Sequence, residues 1–463
     1  MCFGGMIASF MQTLVIPLIP SLPHLLSASP ADASWVITVT LLTAAVMTPV
    51  AGRLGDLYGK RLVIVASLAV LVVGSVVVAL SDTVIPAIIG RGLQGAAMGL
   101  IPVGISMMRD VLPAERVGSA IALMSATLGV GGAIGLPVSA FVAQNASWHA
   151  LFWLAAGLGA LGIVLVLAVV PESPVTTPGR FDVVGAIGLA IGLVSLLLAI
   201  TKGSSWGWGS PATLGTAAAA VVVLLAWGVL QLRTREPLVD LRVSARRPVL
   251  FTNLASVVAG FAMFGTSLVF PQVLQAPMAS GYGLGRSLLE AGLLMAPGGL
   301  MMMVMSPLSA RLTRLRGPRV TLLIGLGVIA CGYVLAAFIT GTVVGVVVAT
   351  IVISSGVGIA YAAMPALIMG AVPIGASAAA NGLNSLMRSV GTSVSSAVAA
   401  TVLAGMTISV GAAVLPSATG IRVVLLISAA ASVVGFAVAL LIPKREVQPT
   451  PASPVPAAAA VQG

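Results

Sequence analysis

Gly52-Arg53-Leu54-Gly55-Asp56-Leu57-Tyr58-Gly59-Lys60-Arg61 is a short basic stretch between two long apolar runs. About 260 residues later the chain repeats its outline as Ser309-Ala310-Arg311-Leu312-Thr313-Arg314-Leu315-Arg316-Gly317-Pro318-Arg319. Laying Arg53 on Arg311 also lays Leu54 on Leu312, Gly59 on Gly317 and Arg61 on Arg319. Each turn follows the second apolar run of a set of six. Any tight loop between spans collects Gly and Arg, but two matching turns at matching positions point to a duplicated membrane-embedded half.

Composition carries the class. With 59% hydrophobic and 7% charged residues among 463 and a mean hydropathy of +1.16, the apolar surface exceeds what one water-soluble core can bury. The net charge of +11 does not mark a nucleic-acid binder, because the basic residues sit in short loops rather than on one folded face. Cys2 and Cys331 lie far apart in apolar stretches, giving neither a disulfide framework nor a metal-ligand spacing. No HExxH, GxSxG or paired intramembrane carboxylate occurs, so the chain is expected to be neither an enzyme nor the holder of a metal or cofactor.

A span needs about 20 apolar residues to cross roughly 30 Å of hydrocarbon. That rule gives fourteen candidates, at residues 1–22, 33–52, 62–81, 84–108, 117–143, 148–170, 182–201, 212–232, 248–274, 287–308, 318–339, 343–370, 379–405 and 421–442. The first lacks a basic leader and a small-residue cleavage site and contains Pro17 and Pro20, so it reads as a span whose basic flank is missing, with the start of the chain set late, rather than a signal peptide. Of the 22 Lys and Arg, 17 fall in alternate loops that are cytoplasmic if the amino terminus is, 3 fall in the other loops, and Arg91 and Arg388 fall inside spans. The positive-inside rule then places both termini in the cytoplasm of a multi-pass cell-membrane protein. Trp35, Trp148, Trp206 and Trp208 fall at the expected outer boundaries, as an aromatic belt would. The expected fold is all-α and integral to the membrane: two six-helix bundles related by a pseudo-two-fold axis plus two extra central helices. The expected units are 1–170, a linker with the extra pair at 171–247, 248–442, and a disordered Pro- and Ala-rich tail at 443–463.

At this point the residues resemble a family. Gly52 to Arg61 is similar to the signature loop of the major facilitator superfamily, and fourteen spans resemble its drug/proton antiporter branch. Phe181-Asp182-Val183-Val184-Gly185, Trp206-Gly207-Trp208, Pro237-Leu238-Val239-Asp240-Leu241, and Glu290-Ala291-Gly292-Leu293 with Pro297 extend the likeness over nearly the whole chain. The resemblance implies that Gly52, Arg53, Gly55, Asp56, Gly59, Lys60 and Arg61 latch the cytoplasmic side in one of two conformations. Physically, the glycines permit a tight turn and close helix approach, and Asp56 offers a carboxylate to an arginine or a helix amino terminus. A solvated positive loop in which Asp56 merely offsets charge also fits the residues. Arg314 stands where the first copy has Asp56, so any latch is asymmetric.

Arg91 lies on the order of 10 Å below the outer end of the fourth span, where an unpaired guanidinium costs several kcal/mol. Arg91-Gly92-Leu93-Gln94-Gly95 resembles the family's fourth-span motif, which implies proton transfer or substrate contact for Arg91 and Gln94. The alternative is an arginine that ties helices together through backbone carbonyls. Arg388 and Asn384 form a second interior polar group, readable as a substrate site or as hydrogen-bonded glue between helices. Gly131 and Gly135 make a GxxxG packing surface and Pro137 bends the fifth span, similar to the antiporter motif but with Leu136 interrupting Gly-Pro and Ser139 and Ala140 replacing its closing glycines.

The largest departure is Met11, where the branch commonly carries an intramembrane aspartate just before Thr13. Proton coupling needs a group whose protonation changes between access states. None of the 11 acidic residues falls at a span centre. Glu290 is the first candidate and Asp182 the second, with stabilisation of a helix start an equal reading for Glu290. His24 and His149 read as interfacial. The apolar interior, with Met263, Met295 and Met301 to Met303, suits an adaptable surface for hydrophobic or amphiphilic small molecules, drugs and antibiotics among them. The expected function is export by alternating access as a proton antiporter, by a monomer in the lipid bilayer. The alternatives are a same-fold carrier of a dedicated metabolite or lipid precursor, with or without protons, and a non-transporting sensor.

Overall fold

The computed structural model describes residues 1–443 apart from 16–17, 19–21, 34, 178 and 411–412. The tail expectation therefore lies, from residue 444 on, outside the described residues. The long helices are α1 Cys2–Thr13, α2 Trp35–Tyr58, α3 Lys60–Ala79, α4 Val84–Val111, α5 Ala114–Asn145 and α6 His149–Val169. There follow α7 Val183–Trp206, α8 Pro211–Arg233, α9 Arg247–Gln275, α10 Leu288–Arg316, α11 Pro318–Ile339, α12 Val343–Met369, α13 Ser377–Gly405 and α14 Ala418–Leu440.

Among the described residues, 13 of these helices are long and apolar enough to cross a membrane. The exception is α1, whose 12 helical residues fall short of a full crossing; the expected span at 1–22 runs on through residues only partly described. In lipid every backbone N–H and C=O must find its partner inside the segment, so uninterrupted Ala, Val, Leu and Gly runs settle as helices. Their starts carry oxygen caps: Ser210 accepts from Thr213 N–H, Thr342 from Gly345 N–H and Ser417 from Gly420 N–H. A 3-10 turn at Ala97–Gly99 interrupts α4.

The duplicated turn repeats at atomic detail. Gly59 at φ 101° and Gly317 at φ 83° break α2 from α3 and α10 from α11, a backbone region closed to side chains with a Cβ. Arg61 donates to the carbonyl of Leu167 near the end of α6 at 2.7 Å, and Arg319 donates to Leu440 at the end of α14 at 2.6 Å. Each arginine satisfies an orphan carbonyl at a helix C-terminus, where the dipole also favours a cation.

One apolar cluster gathers residues from Ile7 to Val166 within α1 to α6 and their connections, and a second gathers Ala255 to Ile442 within α9 to α14. A third joins Leu42 of α2, Leu193 of α7, Trp227 of α8 and Leu386 of α13, which seats the extra pair against helices of both clusters. The two sets of helices meet chiefly where α5 packs along α10 and α2 along α13. On the first seam a Cβ at Gly299 would reach 2.5 Å from the Gly129 carbonyl. On the second, one at Gly52 would reach 2.5 Å from the Ala378 carbonyl and one at Gly382 2.8 Å from that of Thr48. A feature absent from the sequence reading is the antiparallel hairpin Thr407–Val410 and Ala413–Pro416 between α13 and α14.

Candidate functional site

The end of the bundle that carries Gly52 to Arg61 is closed by a polar cluster shared between the two sets of helices. Helix α13 begins without a side-chain cap of its own, since its N-cap residue is Ala376. Asp56, at the end of α2 and 1% exposed, supplies that cap from outside: its Oδ2 accepts from Ala379 N–H at 2.9 Å and its Oδ1 from Ala378 N–H at 3.3 Å. These are the second and third N–H groups of the helix, the ones an N-cap side chain ordinarily serves. Lys60 is wholly buried and bridges two carboxylates, with Asp56 at 3.8 Å and Asp110 of α4 in a shorter ion pair. The Ser106 and Ser377 hydroxyls meet across the same seam at 2.5 Å.

The connection between α6 and α7 straps this cluster. Ser173 donates to Asp110 at 2.6 Å, Thr177 N–H donates to the Asp56 carbonyl at 2.8 Å, and the Thr177 hydroxyl donates to the Gly375 carbonyl at 2.9 Å. Of the expected latch residues, Gly52 and Asp56 touch the opposite bundle. Lys60 holds the carboxylates, Gly55 lets Val103 of α4 approach, and Gly59 and Arg61 serve the repeat geometry. Arg53 forms no ion pair within 4 Å among the described residues, and its Nε is buried without an acceptor; Lys60 is the nearer cation to Asp56, with Arg53 acting on it from further off. In the second turn Arg314 is exposed and makes no counterpart of the Asp56 contact among the described residues.

Arg91 is 2% exposed and ties helices together. Its Nε donates to the Val36 carbonyl at 3.4 Å and its Nη1 to the Met11 carbonyl at 3.3 Å and to Gln94 Oε1 at 2.7 Å. Gln94 in turn donates to Ser75 at 2.8 Å, so one guanidinium joins α1, α2, α3 and α4. The position where a carboxylate was expected, Met11, meets Arg91 through its backbone instead.

Arg388 is 5% exposed and sits differently. Its Nη1 donates to Asn384 at 2.7 Å, its Nη2 to Ser385 at 2.7 Å, and its guanidinium lies 4.5 Å over the Tyr361 ring. Asn384 is fixed by donating to Asn253 at 2.9 Å and to Ser256 at 2.7 Å. Three helices, α9, α12 and α13, thus build one buried polar group. Asn253, Ser256 and Tyr361 did not stand out in the sequence, where single polar residues in spans carry no mark of convergence. About 12 Å further along α13, at 1.5 Å per residue, Ser396 joins Leu268, Gln272, Ala400, Leu403 and Pro416 in lining a cavity of about 320 Å³ at the end opposite the latch.

The two expected proton carriers stand outside the interior. Glu290 completes a capping box with Ser287 at the start of α10 and lies half-exposed 3.6 Å from Arg286. Asp182 caps α7, accepting from Gly185 N–H at 2.8 Å, Gln231 Nε2 at 2.7 Å and Leu238 N–H at 3.3 Å, which pins α7 to α8. In α5, Cβ atoms at Gly131 and Gly135 would strike Met6, Ser9 and Thr13 of α1, while Pro137 packs against Gly292 of α10. The fifth span therefore uses one glycine face for α1 and another for α10.

Two packed sets of transmembrane helices, joined at one end by the buried Asp56, Lys60 and Asp110 cluster and flanked by an extra pair, define a polytopic membrane protein of the transporter type. Residues 1–396 match the model of the Major Facilitator Superfamily, and the chain belongs to that family. It is 26% identical over 304 residues to the multidrug transporter protein MdtP of Bacillus subtilis, covering 65% of this chain and 55% of that one. It is 29% identical over 325 residues to the tetracenomycin C resistance and export protein of Streptomyces glaucescens, covering 70% and 59%. The matched stretch thus spans less than two thirds of either relative. The fold is similar to that of the human organic anion transporter MFSD10 (TETRAN), with a TM-score of 0.67 at 15% identity over 95% of this chain and 97% of that one; at that identity the likeness speaks for the fold alone.

Proposed function

We propose that this chain exports hydrophobic or amphiphilic small molecules, drugs and antibiotics among them, by alternating access across the cell membrane. The units at 1–170 and 248–442 rock as two six-helix bundles, with the pair at 171–247 riding on the seam and both termini in the cytoplasm. The observation that carries the reading is Asp56 capping α13 across the seam. A carboxylate that serves another bundle's helix end holds one arrangement by bonds that water can replace, which is what a two-state carrier needs. The relatives named for multidrug transport and tetracenomycin C export support the substrate class. The Gly129–Gly299 contact supports a tightly packed seam about which the bundles turn.

Proton antiport by a monomer is the form the resemblance implies. One observation favours a second reading, a same-fold carrier of a dedicated metabolite or lipid precursor that runs without protons: among the described residues the buried carboxylates, Asp56 and Asp110, sit at the latch end of the bundle paired with Lys60, and none lies midway along a span. Purified protein in liposomes with an imposed pH gradient separates the two. Dye or drug movement that collapses with the gradient supports the antiporter, movement that persists supports the uncoupled carrier, and no movement of any compound overturns transport.

A further inference from the structure

Arg388 brings a positive charge into the interior with no carboxylate beside it among the described residues. No carboxylate lies within 4 Å of it among the described residues, whose ion pairs all involve other cations. A buried unpaired cation is costly in a span and is retained where it serves a pathway. The comparison with Arg91 is instructive. Arg91 gives its donors to the backbone carbonyls of Met11 and Val36, as an arginine that joins helices should. Arg388 gives none to a backbone carbonyl among the described residues. Of a guanidinium's five N–H donors it uses two, on Asn384 and Ser385, and its Nε is buried without an acceptor.

The group is also held rigidly. Asn384 is braced by Asn253 and Ser256, the Tyr361 ring lies beneath the cation, and a Cβ at Gly260 would collide with the Arg388 carbonyl, so α9 and α13 touch backbone to backbone. A guanidinium oriented by its neighbours, with Nε–H and further Nη hydrogens unspent, matches the planar two-oxygen face of a carboxylate.

We infer that Arg388, held by Asn384 and Ser385 over Tyr361, receives the head group of an anionic amphiphile: a hydrophobic body bearing one carboxylate. The inference rests on the reading that the chain carries amphiphiles, and it names the charge they bring. The carboxylate supplies the counter-charge that no described carboxylate gives Arg388 within 4 Å, and the body extends along α13 toward the cavity lined by Leu268, Ala400 and Leu403. Cationic amphiphiles are disfavoured by the same charge.

The test uses the full chain in phosphatidylcholine nanodiscs, with empty nanodiscs subtracted, and two fluorescent probes: 11-(dansylamino)undecanoic acid and its primary amide, which shares the body and lacks the charge. The acid is expected to bind the wild type on the order of tenfold more tightly than the amide. Arg388→Gln is expected to bind both with the amide's affinity, and Arg388→Lys to keep part of the preference. Equal binding of acid and amide by the wild type overturns the anion site and leaves amphiphile transport standing. A preference that survives in folded Arg388→Gln also overturns it. Binding of neither probe overturns both readings. Should Arg388→Gln fail to fold, the wild-type ratio and Arg388→Lys decide.

Discussion

Replacing Asp56 with alanine removes the only cap that the start of α13 receives from a side chain among the described residues. Capping oxygens contribute about 0.5–2 kcal/mol, and a charged acceptor at a partly buried helix start lies toward the upper end of that range. The loss of ion pairing adds little, because Lys60 lies 3.8 Å from Asp56 and keeps its shorter pair with Asp110. The cap exists only when α2 and α13 are together, so the whole loss, about 1–2 kcal/mol, falls on the closed state and lowers the closed-to-open ratio roughly five- to thirtyfold. Spin labels at Tyr58→Cys and Ile374→Cys, both exposed on the latch end, report the separation by pulsed electron resonance, with Cys2 and Cys331 replaced by serine. The wild type is expected to show mainly the short distance and Asp56→Ala mainly a longer one, with Asp56→Asn between them because it keeps an acceptor oxygen without the charge. An unchanged distance distribution in a folded Asp56→Ala protein would refute the latch.

Four further outcomes follow from the geometry. Gly52→Leu puts a side chain where the Ala378 carbonyl already lies 2.5 Å from a Cβ, so the same spin-label pair should read the open arrangement without any change at Asp56. Gly59→Ala and Gly317→Ala each force a Cβ into positive φ, a strain of about 1–3 kcal/mol, and thermal unfolding should show comparable losses for the two if the turns are true repeats. Asp182→Ala strands Gln231 and the Gly185 and Leu238 N–H groups, costing about 1–3 kcal/mol; the thermal midpoint should fall while the pH profile of transport stays put. Met11→Asp sets a carboxylate on the residue whose carbonyl already accepts from Arg91, and liposome transport should then depend more steeply on an imposed pH gradient.

The turn at Gly52 to Arg61 was legible because its demands are local. A positive φ needs glycine, so Gly59 and Gly317 show in the sequence, and a helix C-terminus welcomes a cation, so Arg61 and Arg319 recur in register. The partner of Asp56 was legible only in kind. Its acceptor bonds go to the backbone of Ala378 and Ala379, and any residue has an N–H to offer. The pairing of Lys60 with Asp110 and the Thr177 strap depend on which loops meet at one end, which spacing along the chain does not encode. The site at Arg388 was half visible: Asn384 and Ser385 lie on its own helix at four and three residues, whereas Asn253 and Tyr361 arrive from helices far away in sequence. The hairpin after α13 falls in the connection that the apolar-run rule left between spans, and that rule says nothing of strands, although the β-branched Thr407, Ile408 and Val410 favour one.

The central claim, that substrate moves because the latch end opens and closes, is tested most directly by locking it. Ser106 and Ser377 meet across the seam with hydroxyls 2.5 Å apart, so Ser106→Cys with Ser377→Cys, in a chain with Cys2→Ser and Cys331→Ser, should form a reversible disulfide between α4 and α13. The account predicts that amphiphile transport in liposomes stops when the bond is oxidised and returns when it is reduced. Undiminished transport with the disulfide fully formed would contradict it.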